Sequence, residues 1–376
     1  MTDSILIVDT YYPAFLNSIC ADQAHLSRYD DIHKDLMSYS FGTSDAYSSG
    51  LKKLGWAANE VIPNYHMIQN AWGREHSRRL WKSLDQVPPS YVARVPLVRD
   101  VWSRLPTLHR MLEMQVSESD PTVVYFQDLN FASPRLLSRL RKQGRFVVGQ
   151  IASPLPPPSR LRMFDMILSS LPNQIEQIRS VGVKSEFLPI AFDQRVLQRV
   201  SQPEQRDISI SFVGGISKFH DTTIPLLNEV HAKCPELQIF GYGSETLRDN
   251  QNLANIHNGE RWGRDMYQTL MRSRATLNRH ISISGEYANN MRLFEATGSG
   301  ALLITDYKKN LHEYFDVGKE VLAYTSISEA ADMAKWASSN PIEAAAIAKS
   351  GQQRTLTDHT YDACMAQLDQ ILRNFI

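Results

Sequence analysis

Short apolar runs of strand length alternate with stretches of helical spacing, and the series runs twice along this chain. ILIVD (5 to 9), VVYFQD (123 to 128), FVVGQIA (146 to 152) and MILSS (166 to 170) make the first series. ISISFVGG, LQIFGYG, ATLNRH, ALLITD and VLAY make the second, after residue 207. Unbroken apolar strands with helices between them are the mark of parallel sheets, because a parallel pair needs a crossover that lays a helix over the sheet and buries both of its faces. At 376 residues the chain is also long for one core. An α/β protein of two domains is expected: 1–193, a linker over the polar stretch at 194–207, 208–358, and a terminal helix at 359–376 whose apolar residues fall at helical spacing.

Charge excludes several partners. Lys plus Arg and Asp plus Glu number 40 each, so no overall field draws the chain to nucleic acid or to an anionic membrane. The basic runs SRLRKQGR (138 to 145) and Arg74 to Lys82 read as solvated helix faces. Cys20, Cys234 and Cys364 show no CxxC and no metal-type spacing to histidine, as expected of reduced thiols in a cytoplasmic protein. No apolar run approaches the roughly 18 residues of a membrane span, and MTDSILIVD passes straight into a strand, so membrane contact is expected to be peripheral at most. Residues from about Tyr29 to Arg110, rich in Tyr, Trp and Ser, are expected to be helical with long connections and to shape an acceptor site.

Residues 275 to 306, ATLNRHISISGEYANNMRLFEATGSGALLITD, set two carboxylates, two arginines and a histidine between two apolar strands. Ligands of open parallel sheets sit in the loops at the carboxyl ends of strands, and this one reads as a pocket for a sugar nucleotide. A helix is predicted from about Asn290 to Thr297, with Arg292 and Glu295 three apart on one face, either a ligand-binding pair or a surface ion pair. Its opening near Asn289 would turn amide groups toward an anion. Arg279 and His280 follow the strand ATLN, near a leaving diphosphate. Gly214 and Gly215 follow ISISFV and would let backbone amides approach phosphate, with Lys218 and His220 supplying charge; a plain strand-to-helix turn uses glycines as readily. On the first domain, Asp128 and Gln150 end apolar strands, and Asp45 and Tyr47 flank the start of a helix from about Ala46, where Ser44 or Asp45 would cap. These four are the acceptor-side candidates. No Asp-x-Asp occurs, which disfavours a chelated divalent ion at the diphosphate and points to metal-independent chemistry without a cofactor.

The segments NNMRLFEATGSGALLITDY, HEYFDVGKEVLAY and RTLTDHTY resemble the CgeB-like group of bacterial glycosyltransferases, and ISISFVGGISKFHDTTIPLL with LQIFGYG resembles the first half of the same donor domain. The first half of the chain matches more loosely, through ILIVDTYYPAFL, FGTSDAYSSGLKKLGWAANEVIPN and VVGQIASPLP. The resemblance implies the GT-B fold: two Rossmann-like domains facing a central cleft, with the C-terminal helix crossing back to the first. It implies that Glu295 binds the ribose hydroxyls and that Trp262, in NIHNGERWGRDMY, stacks on or pairs with the base; read from the residues alone, Trp262, Met266 and Tyr267 could instead pack a helix against the sheet, the reading preferred for Met266 and Tyr267. Many retaining relatives place a further glutamate eight positions earlier to contact the donor sugar. Here Glu286 stands nine earlier, so Asn289 or Asn290 are alternatives for that role. The expected activity is transfer of a sugar from a nucleotide-sugar to a hydroxyl on a saccharide, lipid or small molecule, as in polysaccharide biosynthesis, with retention preferred. In a retaining enzyme the leaving phosphate takes the acceptor proton; in an inverting one a base would come from the acceptor-side set. The other readings are a sugar-nucleotide epimerase or phosphorylase of the same fold, or a non-catalytic saccharide- or nucleotide-binding protein.

Overall fold

A computed structural model describes residues 3–76, 106–216, 222–281 and 284–376. Its contacts separate the chain into two units, Met1–Pro189 with Met365–Ile376, and Ile190–Cys364.

The first unit holds a six-stranded, all-parallel sheet: β1 (Ser4–Val8), β2 (Ala57–Val61), β3 (Val123–Phe126), β4 (Phe146–Gln150), β5 (Met166–Ser169) and β6 (Lys184–Phe187), in the order β2-β1-β3-β4-β5-β6. Every residue of β3 and β5 is buried, which is why both read as unbroken apolar runs. β2 (AANEV) and β6 (KSEF) have no such run in the sequence. They are the two edges of the sheet, and each leaves side chains in solvent. Helices Tyr29–Ser38, Ala46–Lys53 and His66–His76 fall in the stretch expected to be helical, which also holds the strand β2; its residues 77–105 lie outside the described residues.

The second unit holds β7 (Ile208–Val213), β8 (Leu237–Phe240), β9 (Ser273–Leu277), β10 (Leu302–Asp306) and β11 (Leu322–Tyr324), also all parallel, in the order β11-β10-β9-β7-β8. Alternate residues serve opposite faces: Leu302 and Ile304 join one apolar cluster, with Ala330, Ala331 and Ala334, while Leu303 joins the other, with Phe294 and Phe315. The helix Tyr361–Arg373 follows the pairing of Phe192 with Thr360. Its later residues belong to the first unit: Asp369 accepts from Trp56 Nε1 at 2.6 Å, and Arg373 pairs with Asp3 at 2.6 Å. Among the described residues no helix is long and apolar enough to cross a membrane.

The strand order reverses once in each sheet, between β1 and β3 and between β7 and β9. The loops leaving neighbouring strands diverge there, which opens a crevice at the carboxyl ends.

Candidate functional site

In the second unit the β7 tip is built from glycines for a steric reason. Gly214 donates to Phe240 O at 2.9 Å and Ile216 to Tyr242 O at 2.9 Å, so the FVGG loop lies flat along the loop that follows β8. Gly241 (φ +134°) and Gly243 (φ +94°) face the carbonyls of Gly214 and Ile216, where any side chain would collide with backbone. Gly215 lies under the ring of Tyr242, which stacks in turn on Trp262 with centroids 5.8 Å apart and planes 6° from parallel. Trp262 Nε1 donates to Glu260 at 3.0 Å. The expectation that both glycine amides face phosphate is corrected for Gly214, whose N–H is committed to Phe240. Lys218 and His220 lie outside the described residues.

The helix Arg292–Gly298 begins two residues later than predicted. Asn290, outside it, accepts from the Leu293 amide at 3.2 Å and donates to Asn278 Oδ1 at 2.9 Å, so both ends of its side chain fasten the helix start to the end of β9. Asn289 is half-buried beside it. Arg292 Nε donates to the carbonyl of Val213, the last residue of β7, at 2.9 Å, and Nη1 meets Glu295 Oε2 at 2.7 Å. Their side chains are only 15% and 8% exposed, so the pair is not a surface decoration but a buried ion pair at the reversal of strand order. Tyr267 is buried against it and hydrogen-bonds Glu295; burial, with the charges of Glu295 and Asp193, pushes its phenol well above the ordinary range. Met266 lies with its sulfur against Arg292 Nη1.

Arg279 leaves the β9 tip half-buried and donates to Thr223 at 3.0 Å. His280 is buried, with Nδ1 at 2.7 Å from Asp306 at the end of β10. Burial pushes the Asp306 carboxyl up, but hydrogen bonds from the His280 ring and amide and the nearby Lys308 ammonium outweigh it and hold the group below the usual carboxylate range. Glu286 does not join these residues. Its carboxylate is 78% exposed and paired with Lys309 at 3.0 Å. Its place in the catalytic set is corrected on that ground: a carboxylate in water, neutralised by a lysine, has neither the burial nor the neighbours that build a sugar subsite.

In the first unit, Gln150 Oε1 accepts from both Tyr47 (3.0 Å) and Tyr125 (2.8 Å), so Tyr47 is a core residue with a committed hydroxyl. Asp45 occupies the N-cap position without a side-chain capping bond, and Ser44 (φ 47°) donates to Met37 O, so neither caps as expected. Asp128 accepts from Thr10 at 3.1 Å and from the Asn130 amide at 2.8 Å. The neighbouring tip carries a residue the sequence reading passed over. Asp9, next after β1, is pushed up to about 7 by burial, against the hydrogen bond from Thr10, with Asp128 and Glu60 adding like charge. Glu60 on β2 is also pushed up to about 7, by burial in spite of hydrogen bonds from Ser48. Asp9 ends ILIVD as Asp128 ends VVYFQD, a signal the same strand-end argument would have used.

A folded pKa above the unfolded one means that the folded state holds the extra proton between the two values, so the first unit should lose stability as pH rises from about 4 to about 7. Asp9→Asn is neutral throughout. The variant is expected to gain on the wild type near pH 8 and not near pH 4 in urea unfolding; a difference that does not change with pH would remove the assignment.

Among the described residues no three His, Cys, Asp or Glu side chains converge as metal ligands do. Two all-parallel α/β units, each with one reversal of strand order, agree with the GT-B fold. Residues 224–370 match the sequence model of a family described as Glycosyl transferase-like. No curated protein sequence matches the chain. Three solved structures share the fold over almost the whole length. HepE of Anabaena, in complex with UDP and glucose, aligns with TM-score 0.60 at 12% identity over 99% of this chain and 100% of its own. Sucrose-phosphate synthase from Thermosynechococcus elongatus aligns with 0.59 at 13% over 99% and 98%. AviGT4, a glycosyltransferase of avilamycin A biosynthesis, aligns with 0.59 at 13% over 99% and 97%.

Proposed function

We propose that this chain transfers a sugar from a nucleotide-sugar donor to an acceptor hydroxyl, and that its second unit binds the donor. The observation that carries the reading is the buried Arg292–Glu295 pair, anchored on the Val213 carbonyl where the strand order reverses. The solved structures of HepE with UDP, and with UDP-glucose, support a nucleotide-sugar as the class of donor.

Glu295 takes the ribose. A carboxylate has about four acceptor positions, and with Arg292 and Tyr267 each occupying one, two remain for a diol. Arg292 holds Glu295 in place through the 2.7 Å contact. Arg279 and the Gly215 amide are assigned to the diphosphate, and the Tyr242–Trp262 stack to the face of the base. Arginine and backbone groups stabilise the departing phosphate without a metal ion. Retention of configuration, a saccharide, lipid or small-molecule acceptor and kinship with the CgeB-like group complete the reading. The acceptor is assigned to the tips of β1 and β3, at Asp9 and Asp128.

Calorimetric titration in EDTA with UDP, GDP, CDP, ADP and dTDP tests it. One nucleotide is expected to bind in the micromolar range. Glu295→Ala should weaken that nucleotide about 100-fold, the loss of two hydrogen bonds to a charged group. Flat titrations across the panel, or an unchanged affinity in Glu295→Ala, would overturn the assignment.

A further inference from the structure

His280 and Asp306 pair at the tips of β9 and β10. Asp306 Oδ1 accepts twice from His280, from the backbone amide at 2.9 Å and from Nδ1 at 2.7 Å. An ionised aspartate only accepts, so Nδ1 carries a proton, and in the neutral ring Nε2 then presents a lone pair. The His280 side chain is 0% exposed, and Nε2 has no hydrogen-bond partner among the described residues. A buried acceptor left unpaired carries an uncompensated desolvation cost, which the arrival of a donor would recover. Within a sugar nucleotide the diphosphate cannot be that donor, because it has no proton to offer. Hydroxyl groups have one.

We propose that His280 Nε2 accepts a hydrogen bond from a hydroxyl of the transferred sugar, and that Asp306 is a positioning residue that fixes the ring and its tautomer for this purpose. The proposal rests on the sugar-nucleotide reading of the site. It replaces the expectation that His280 faces the leaving diphosphate, which would need a proton on Nε2. Lys308 stands 3.4 Å from Asp306 Oδ2 and also donates to Gly285 O at 2.7 Å. With the exposed Glu286–Lys309 pair, this contact fastens residues 284–288 to the chain after β10.

Two measurements on the full chain decide it. Nitrogen NMR of histidine-labelled protein is expected to show His280 protonated at Nδ1 alone; an imidazolium, or a proton on Nε2, would overturn the tautomer and with it the acceptor role. Calorimetry then compares UDP with UDP-glucose, UDP-galactose and UDP-N-acetylglucosamine, and GDP with GDP-mannose. His280→Phe should weaken the preferred sugar nucleotide about tenfold and leave the bare nucleotide unchanged, Asp306→Asn should reproduce the loss, and His280→Gln, which keeps an acceptor, should restore part of it. Equal weakening of bare and sugar-bearing nucleotide would place His280 at the diphosphate and overturn the proposal. If the wild type binds no nucleotide, the donor reading fails and takes the hydroxyl partner with it, while the NMR result still decides whether Asp306 sets the tautomer.

Discussion

Arg292→Ala is expected to destabilise the second unit by about 3–5 kcal/mol in urea unfolding, a larger loss than truncation of an exposed arginine brings. The cause is what remains behind. Glu295, 8% exposed, would lose the guanidinium 2.7 Å away and stay buried without it, and the Val213 carbonyl would lose its partner. Arg292→Lys supplies charge without the fork that reaches both Glu295 and Val213, and should fall between alanine and the wild type. The double variant Arg292→Met with Glu295→Leu separates stability from function. Replacing both members of a buried pair by apolar groups of similar volume often restores or exceeds wild-type stability, so this protein should be folded and yet fail to bind nucleotide. A single variant within about 1 kcal/mol of the wild type would mean that the pair behaves as a surface ion pair, and the donor site would lose its anchor.

Gly241→Ala should have an effect of the same order by a different route. The φ of +134° is one that side chains rarely adopt, and the added methyl would run into the Gly214 carbonyl, a backbone atom that cannot rotate away. Relief requires the β7 and β8 loops to part, breaking the bonds Gly214 N–H to Phe240 O and Ile216 N–H to Tyr242 O. The expected loss is about 2–4 kcal/mol, combining strain with overpacking. Gly144→Ala is the control: its φ is +79° and nothing lies within 4 Å of the added carbon, so it reports strain alone. Equal losses in the two variants would show that backbone conformation, and not the approach of the two loops, decides the cost at Gly241. Gly215→Ala should be milder, since it meets the side chain of Tyr242 instead of backbone, and should show itself mainly as a shift of the Tyr242–Trp262 stack.

Both predictions draw on features of unequal visibility in the chain. The central strands β1, β3, β4, β5 and β10 are legible because a parallel strand covered on both faces is largely apolar, and β7 and β9 are legible through the apolar residues that end them, Phe212 and Val213 in one and Ala275 and Leu277 in the other. β2 and β6 are not, because AANEV and KSEF have no apolar run to announce them, whereas β8 and β11, edges of the second sheet, keep one in LQIF and VLAY. Arg292 and Glu295 are legible as a pair from their spacing of three, yet spacing alone leaves a ligand-binding pair and a surface ion pair both open. Glu286 shows the same limit from the other side, since nothing in its neighbourhood in sequence told that Lys309 would hold it in solvent.

Sequence alone therefore determined the alternation of strand and helix, the division into two α/β halves, and the two stretches of polar residues at strand ends, since each follows from local periodicity and composition. Tertiary structure alone decided which strand tips lie side by side. That step brought Asp306 to His280 across 26 residues and Arg292 to Val213 across 79, and set Asp9 among the charges of Asp128 and Glu60. Contacts between residues so far apart depend on the order of strands in the sheet, and strand order is set by how crossovers pack, not by the residues that the crossovers join.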